Sequence, residues 1–249
     1  MYCLSPIHGR SFVVGRLQDG RYVVSKGNGL SYTQYTLLNT RQFGDDTWGL
    51  LLRQDAERDF LLGQEIESLG IKTNHMEYVL ELEKGITLPT GHTLKPTLLQ
   101  YDVECPWRIS DAPFMTHEQI QAEVSKWSQL SIKGFKDNHL IAADIMIHNL
   151  RILHDHNILH NAIHEQNYTW ALELLDFEIS CSPSHPYERE DYQRHVKDLF
   201  YREITQTYVI ITYIAGVLKE EIDFKCIDNL FSEYGFDIKE YEIELNTLK

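Results

Sequence analysis

"ILHDHNILHNAIHEQNYTWALELLDFEIS", residues 152–180, is the stretch on which the reading of this 249-residue chain turns. It opens as the end of an apolar helix and then loses its period. An apolar pair, Ile158–Leu159, precedes His160, and Asn167 follows seven residues after that histidine. Nine residues further on, Asp176 closes the apolar run "LELL". A carboxylate at such a place has to be paired or used, because burying it alone is costly. An amide oxygen and a carboxylate oxygen on adjoining short segments are hard donors, the kind that hold Mg²⁺ beside phosphate oxygens.

Protein-kinase-like folds lay out a catalytic loop and a metal-binding strand in this order. That chemistry also needs a lysine from a β-rich region to meet phosphate charge, and an acidic helix residue to hold the lysine. Upstream, "YVVSKGNGLSYTQYT" (22–36) offers Lys26 followed by Gly-x-Gly. Gly-x-Gly alone is equally a turn, where glycine supplies φ > 0. An acidic partner is expected within 57–67, on the one helix of the β-rich part. The order is then lysine on a strand, acidic helix, connection, Asn, Asp.

The rest of the chain supplies that frame. "SFVVGRL" and "RYVVSKG" flank "QDG" and predict a hairpin. "TWGLLLR" (47–53) is a short apolar run. "DAERDFLLGQEIESLG" has helical spacing and stops at Gly70. "HMEYVLELE" (75–83) alternates as a strand, "GITLPTGHTLKPT" is a loop or hairpin, and "LLQYDVE" is a strand. After Pro113 the pattern turns helical over 116–130, 138–156, 189–219 and 223–234. The expected fold is α+β, a two-lobed protein-kinase-like domain. Its β-rich N lobe spans 1–110 and its helical C lobe 111–249, with an ATP cleft between them.

Composition narrows the function classes. A net charge of −14 argues against sequence-independent nucleic-acid binding, which needs a basic face. The four cysteines form no C-x-x-C pair, which argues against structural zinc and against a disulfide framework. "YVIITYIAGVL" (208–218) is too short to span a bilayer and reads as a buried helix, so no membrane partner is expected. The opening "MYCLSPIHGR" has no apolar leader core. A cytoplasmic protein is expected, and a secreted effector without a Sec signal has the same features.

Four stretches resemble the selenoprotein O family of kinase-fold protein adenylyltransferases. "LQDGRYVVSKGNGLSY" resembles the family's Gly-Asp-Gly-Arg turn and the Lys-Gly-x-Gly-Leu-Thr-x-Tyr that follows it. "RDFLLGQEIESLGIKT" resembles its Arg-Glu-Phe-Leu helix ending in Leu-Gly-Ile-Pro-Thr. "LLQYDVECPWRIS" lies over a segment with two family arginines. "HNAIHEQN" and "LDFE" lie over His-Gly-Val-x-Asn-Thr-Asp-Asn and Asp-Tyr-Gly. The resemblance covers roughly residues 12–180, with gaps near 33–46 and 84–97, and reads as a compact, diverged member. It implies transfer of AMP from ATP, with Mg²⁺ or Mn²⁺, to a Ser, Thr or Tyr hydroxyl of a protein acceptor. It places the nucleotide against Gly15, Gly20, Arg21, Lys26, Asp46 (or Asp45), Asp59 and Arg108. Asp59 would pair with Lys26, standing where the family has a longer Glu. Asn167 and Asp176 would be the metal ligands.

The departures are also specific. The first family arginine is Tyr101. The family base position is Gln166, whose amide takes no proton at neutral pH. The ordinary kinase base position is Ala162, and the glycine after the metal Asp is Glu178. His164 and Glu165 are the substitute bases within reach. A catalytically inactive scaffold that binds a protein partner, and an ordinary γ-phosphate-transferring kinase, are the competing readings. The cluster His148, His154, His156, His160 and His164 suggests a transition-metal site, but the stretch reads as loop after the helix end. His160 is expected instead to hold the loop's shape.

Overall fold

The computed structural model describes residues 2–3, 10–29, 49–87, 91, 93–131, 133–186 and 196–238. Asp45 and Asp46 lie outside these residues, as do 47–48 of the run "TWGLLLR" and the start of the helix expected over 189–219.

Strands β1 (Tyr2–Cys3), β2 (Ser11–Arg16), β3 (Tyr22–Lys26), β4 (His75–Glu81) and β7 (Thr97–Val103) form one antiparallel sheet, in the order β1-β2-β3-β7-β4. The β2–β3 hairpin closes through Leu17 and Arg21, whose backbones pair at 2.8 Å, and Gly20 sits in the turn at φ 98°. The ladder is regular from Ser11↔Lys26 to Val13↔Val24 and then bulges before Gly15↔Val23. Val24 faces Tyr101 on β7, which lies between β3 and β4. "GITLPTGHTLKPT" resolves as a small hairpin, β5 (Ile86–Thr87) with β6 (Thr93–Leu94). Leu50 and Leu51 of "TWGLLLR" make single bridges to Asn28 and Thr97 rather than a strand.

Helix α1 (Arg53–Ser68) crosses between β3 and β4. It buries Ala56, Asp59, Leu62 and Ile66, residues three or four apart and therefore on one face. Its burial joins those apolar side chains to Val24, Leu99, Tyr101 and Met76 of the sheet. Asp59 is the one carboxylate among those four residues.

After Val103 the chain is helical: α2 (His117–Val124), α3 (Asn138–Asp155), α4 (Val196–Leu218) and α5 (Phe224–Glu233). The helix expected over 116–130 is shorter. Thr116 and Gln119 cap its start reciprocally, and it ends at Val124 before a separate 3-10 turn, Trp127–Gln129. Burial explains the break: Trp127 stacks on Trp170 at 5.9 Å and donates its indole N–H to the Trp170 carbonyl at 2.8 Å. "YVIITYIAGVL" lies in α4, with Tyr208, Ile210, Ile211 and Ile214 buried. Among the described residues, no helix is long and apolar enough to cross a membrane.

Candidate functional site

Helix α3 stops at Asp155, and the chain from 156 to 182 folds as short extended pieces. Leu159 bridges Cys181, and Tyr168 bridges Leu174. Four of the five described non-glycine residues with positive φ fall here: Asn157 (56°), Asn161 (65°), Leu172 (59°) and Asp176 (72°). Such backbone costs of order 1–3 kcal/mol per residue and gathers where the surrounding structure enforces it.

His160 is one of the residues that enforce it. The ring is fully buried, lies edge-on to Phe177 at 5.2 Å, and has both nitrogens engaged. The Ala162 N–H donates to Nδ1 at 3.3 Å, so the proton sits on Nε2, which donates to the Leu175 carbonyl at 2.8 Å. Burial lowers its pKa, so the neutral tautomer is the one that fits. The histidines do not share a helical face, because the helix has ended. The described acidic and histidine groups place a metal-sized cluster elsewhere, at Asp59, Asp176 and Glu178.

The Tyr168–Leu174 bridge brings Asn167 beside Asp176. The Asn167 carbonyl accepts the Leu175 N–H at 2.9 Å, and its side-chain amide donates to the Ala162 carbonyl at 2.9 Å. Its Oδ1 accepts from Arg108 Nη1 at 3.3 Å. The same nitrogen donates to the Gln166 carbonyl at 2.7 Å and lies 4.0 Å from Asp176 Oδ2.

Lys26 meets this loop from the sheet. Its side chain is 2% exposed, and Nζ donates to Asp59 Oδ2 and Asp176 Oδ1, each at 2.6 Å. Asp59 Oδ1 accepts the Phe177 N–H at 2.9 Å, which ties α1 to the residue after Asp176. Glu178 closes the cluster, with Oε2 3.5 Å from Lys26 Nζ and Oε1 bonded to Arg10, whose guanidinium is also 3.7 Å from Asp176. Burial alone would raise the Asp176 pKa, but Lys26, Arg10 and Arg108 hold its carboxyl well below the carboxylate range. Burial alone would lower the lysine, but Asp176, Asp59 and Glu178 hold it above its ordinary value.

Lys26, Asp59, Arg108, Asn167 and Asp176 are thus brought together, and His164 and Gln166 join Asp176 along a cavity of about 200 Å³. Glu165 is not among the residues lining it. His164 is half-buried, and burial lowers its pKa. Its Nδ1 accepts the Gln166 N–H at 3.3 Å, so Nε2 carries the proton and acts as a donor rather than a base.

Three nucleotide-contacting expectations need correcting. Gly15, Gly20 and Arg21 lie toward the other end of the β2–β3 hairpin. Arg21 and Lys26 are separated by the length of β3, about 16 Å at the rise of a strand. Arg21 instead bonds to Asp102 and sits 3.8 Å from both Glu104 and Glu173. The Gly-x-Gly after Lys26 is also not a phosphate cradle. Gly27 and Asn28 donate to the Arg10 carbonyl at 2.9 and 3.3 Å, and Gly29 donates to the Gly49 carbonyl at 3.1 Å.

Two cluster members escape sequence reasoning. Glu178 is visible only as the residue in place of a glycine. Arg10 gives no signal, because its carboxylate partner is 168 residues away.

The donors here suit a hard divalent cation. Oxygens of Asp59, Asp176 and Glu178 lie within 4.8 Å of one another, with the Asn167 amide oxygen alongside through Arg108. Glu178 Oε2 is buried without a hydrogen-bond partner, so a cation there would satisfy it. No protein-family model matches the chain, and no curated protein matches it.

Proposed function

We propose that this chain is a kinase-like, Mg-ATP-binding protein of the selenoprotein O type, which transfers AMP from ATP to a protein hydroxyl. The observation that carries the proposal is Lys26 Nζ held 2.6 Å from both Asp59 and Asp176. Kinase-like folds use that constellation: a lysine on the third strand, an acidic residue on the following helix, and an Asp at the end of an apolar strand. The order His160, Asn167, Asp176-Phe177 supports the same fold, with the sheet and α1 as one lobe and the later helices as the other. The cavity is smaller than the roughly 300–1,000 Å³ of ordinary ligand pockets, which suits the phosphate and metal end of a nucleotide.

Asn167 and Asp176 would hold Mg²⁺, with Glu178 as a further oxygen donor. The ion, when bound, neutralises phosphate charge. Lys26 and Arg108 supply fixed positive charge against the α-phosphate as it gains negative charge, at no cost of reorganisation. In the transfer, an acceptor hydroxyl oxygen bonds to the α-phosphorus, and the bond from that phosphorus to the bridging oxygen breaks. Pyrophosphate leaves with the electron pair, and the hydroxyl proton passes to water. His164, as an Nε2–H donor, orients rather than deprotonates. Positioning and charge account for most of phosphoryl-type catalysis, so loss of the usual base slows the reaction without removing its basis.

A second reading is a scaffold that binds a partner without turnover. Ala162 and Gln166 favour it, since neither accepts a proton, and so does a cluster whose three carboxylates already face three cations. Labelled ATP separates the readings. Purified protein with Mg²⁺ or Mn²⁺ and a cell lysate as acceptor is expected to transfer label from the α- but not the γ-phosphate, and Asp176→Asn is expected to abolish transfer. Label from γ alone would identify a kinase. Label from neither, at matched enzyme folding, would favour the scaffold.

A further inference from the structure

We infer that Arg10 is a phosphate-binding residue of this site, held by Glu178 until a phosphate displaces it. The inference rests on the nucleotide-binding reading above and adds a contact which the family resemblance does not contain. The backbone fixes Arg10 beside the lysine, since its carbonyl accepts from both Gly27 and Asn28, the two residues after Lys26. Its guanidinium lines the cavity together with His164, Asn167, Asp176 and Glu178. Of the three cations in the cluster, Arg10 keeps the most accessible side chain, 27% against 2% for Lys26 and 4% for Arg108. An anion entering the cavity therefore meets Arg10 first.

The position where the family has its first arginine is Tyr101, a buried ring on β7 facing Val24 and Met76. A phosphate contact is missing there, and Arg10 is the cation placed to supply one from another part of the chain. Glu178 already occupies the corresponding anion position. One oxygen bonds Arg10, and the other lies 3.5 Å from Lys26 without a hydrogen-bond partner. A carboxylate bridging an arginine and a lysine makes the contacts that phosphate oxygens make. Lys26, Arg10 and Arg108 balance Asp59, Asp176 and Glu178, so removing the Glu178 charge leaves the cluster net positive and open to a polyanion.

Calorimetric titration with Mg-ATP, and separately with inorganic tripolyphosphate, tests this. Arg10→Gln is expected to weaken both ligands about tenfold or more, and Arg10→Lys to recover part of the loss. Glu178→Gln is expected to tighten tripolyphosphate titrated without a divalent ion, and the double variant to lose that gain. Equal affinity for folded Arg10→Gln and wild type would overturn the inference and leave the nucleotide site standing. No binding of either ligand to wild type would overturn both. If Arg10→Gln does not fold, Glu178→Gln decides: unchanged or weaker binding of tripolyphosphate without a divalent ion overturns the inference.

Discussion

Lys26→Ala is expected to cost about 3–5 kcal/mol of stability, the usual penalty for removing one partner of a buried ion pair. The loss is a large share of the 5–15 kcal/mol that folded domains possess. Among the described residues nothing else replaces Lys26 between Asp59 and Asp176, because Arg10 and Arg108 approach Asp176 only at 3.7 and 4.0 Å and each has its own partner. The two carboxylates would then face each other across the space that the ammonium filled. The effect has a pH signature. In wild type Asp176 has a depressed pKa, so its stabilisation is complete at neutral pH and fades only as pH falls below the ordinary aspartate value of 3.8. In the variant the same carboxylates gain stability by taking up protons. The gap between wild type and Lys26→Ala therefore narrows on acidification. Denaturant titration at pH 7 and pH 3 checks both points. A loss below about 1 kcal/mol at pH 7 would contradict the charge assignment.

Gly27→Ala is expected to be nearly as damaging, about 3 kcal/mol or more, although it removes no interaction. A Cβ at this position would lie 2.4 Å from the Thr97 carbonyl oxygen and 2.8 Å from Leu51 Cβ, and φ is 94°. The backbone oxygen cannot move away without breaking the strand edge, since the Thr97 N–H is itself bonded to the Leu51 carbonyl at 2.9 Å. Gly20→Ala is the control. Its φ is 98°, but an added Cβ would meet only the Arg16 side chain at 3.5 Å, so about 1 kcal/mol is expected. Thermal and denaturant midpoints of the pair measure the difference. Equal losses would show that the positive φ alone governs both sites. A large loss at Gly27 identifies the glycine as a close-packing residue which sets the lysine's position.

What was legible in the sequence follows from distance along the chain. His160, Asn167 and Asp176 lie within one loop, and the bonds from His160 to Leu175, Ser180 to His160 and Asn167 to Ala162 join residues at most twenty apart, so their spacing carries part of their geometry. Lys26 and Asp59 were legible for another reason: one ends a strand and the other lies on the buried face of the helix that crosses it. Gly20 and Arg21 enter the expected site only through the family resemblance, and five residues of extended strand separate them from Lys26. The break at Val124 was not legible, because it depends on Trp127 finding Trp170. Arg10 and Glu178 meet across 168 residues, and neither residue type nor spacing marks either as belonging to the cluster.

The cluster's role as a nucleotide site is tested most directly by titrating Mg-ATP into the wild-type protein and into Asp176→Asn. This substitution keeps the shape of the side chain and removes its charge. The expected result is saturable binding at one site that requires the divalent ion and weakens at least tenfold in Asp176→Asn, with adenosine alone binding both proteins equally. Binding that needs no divalent ion and is the same in both proteins would contradict the account, as would no binding to a folded wild-type protein.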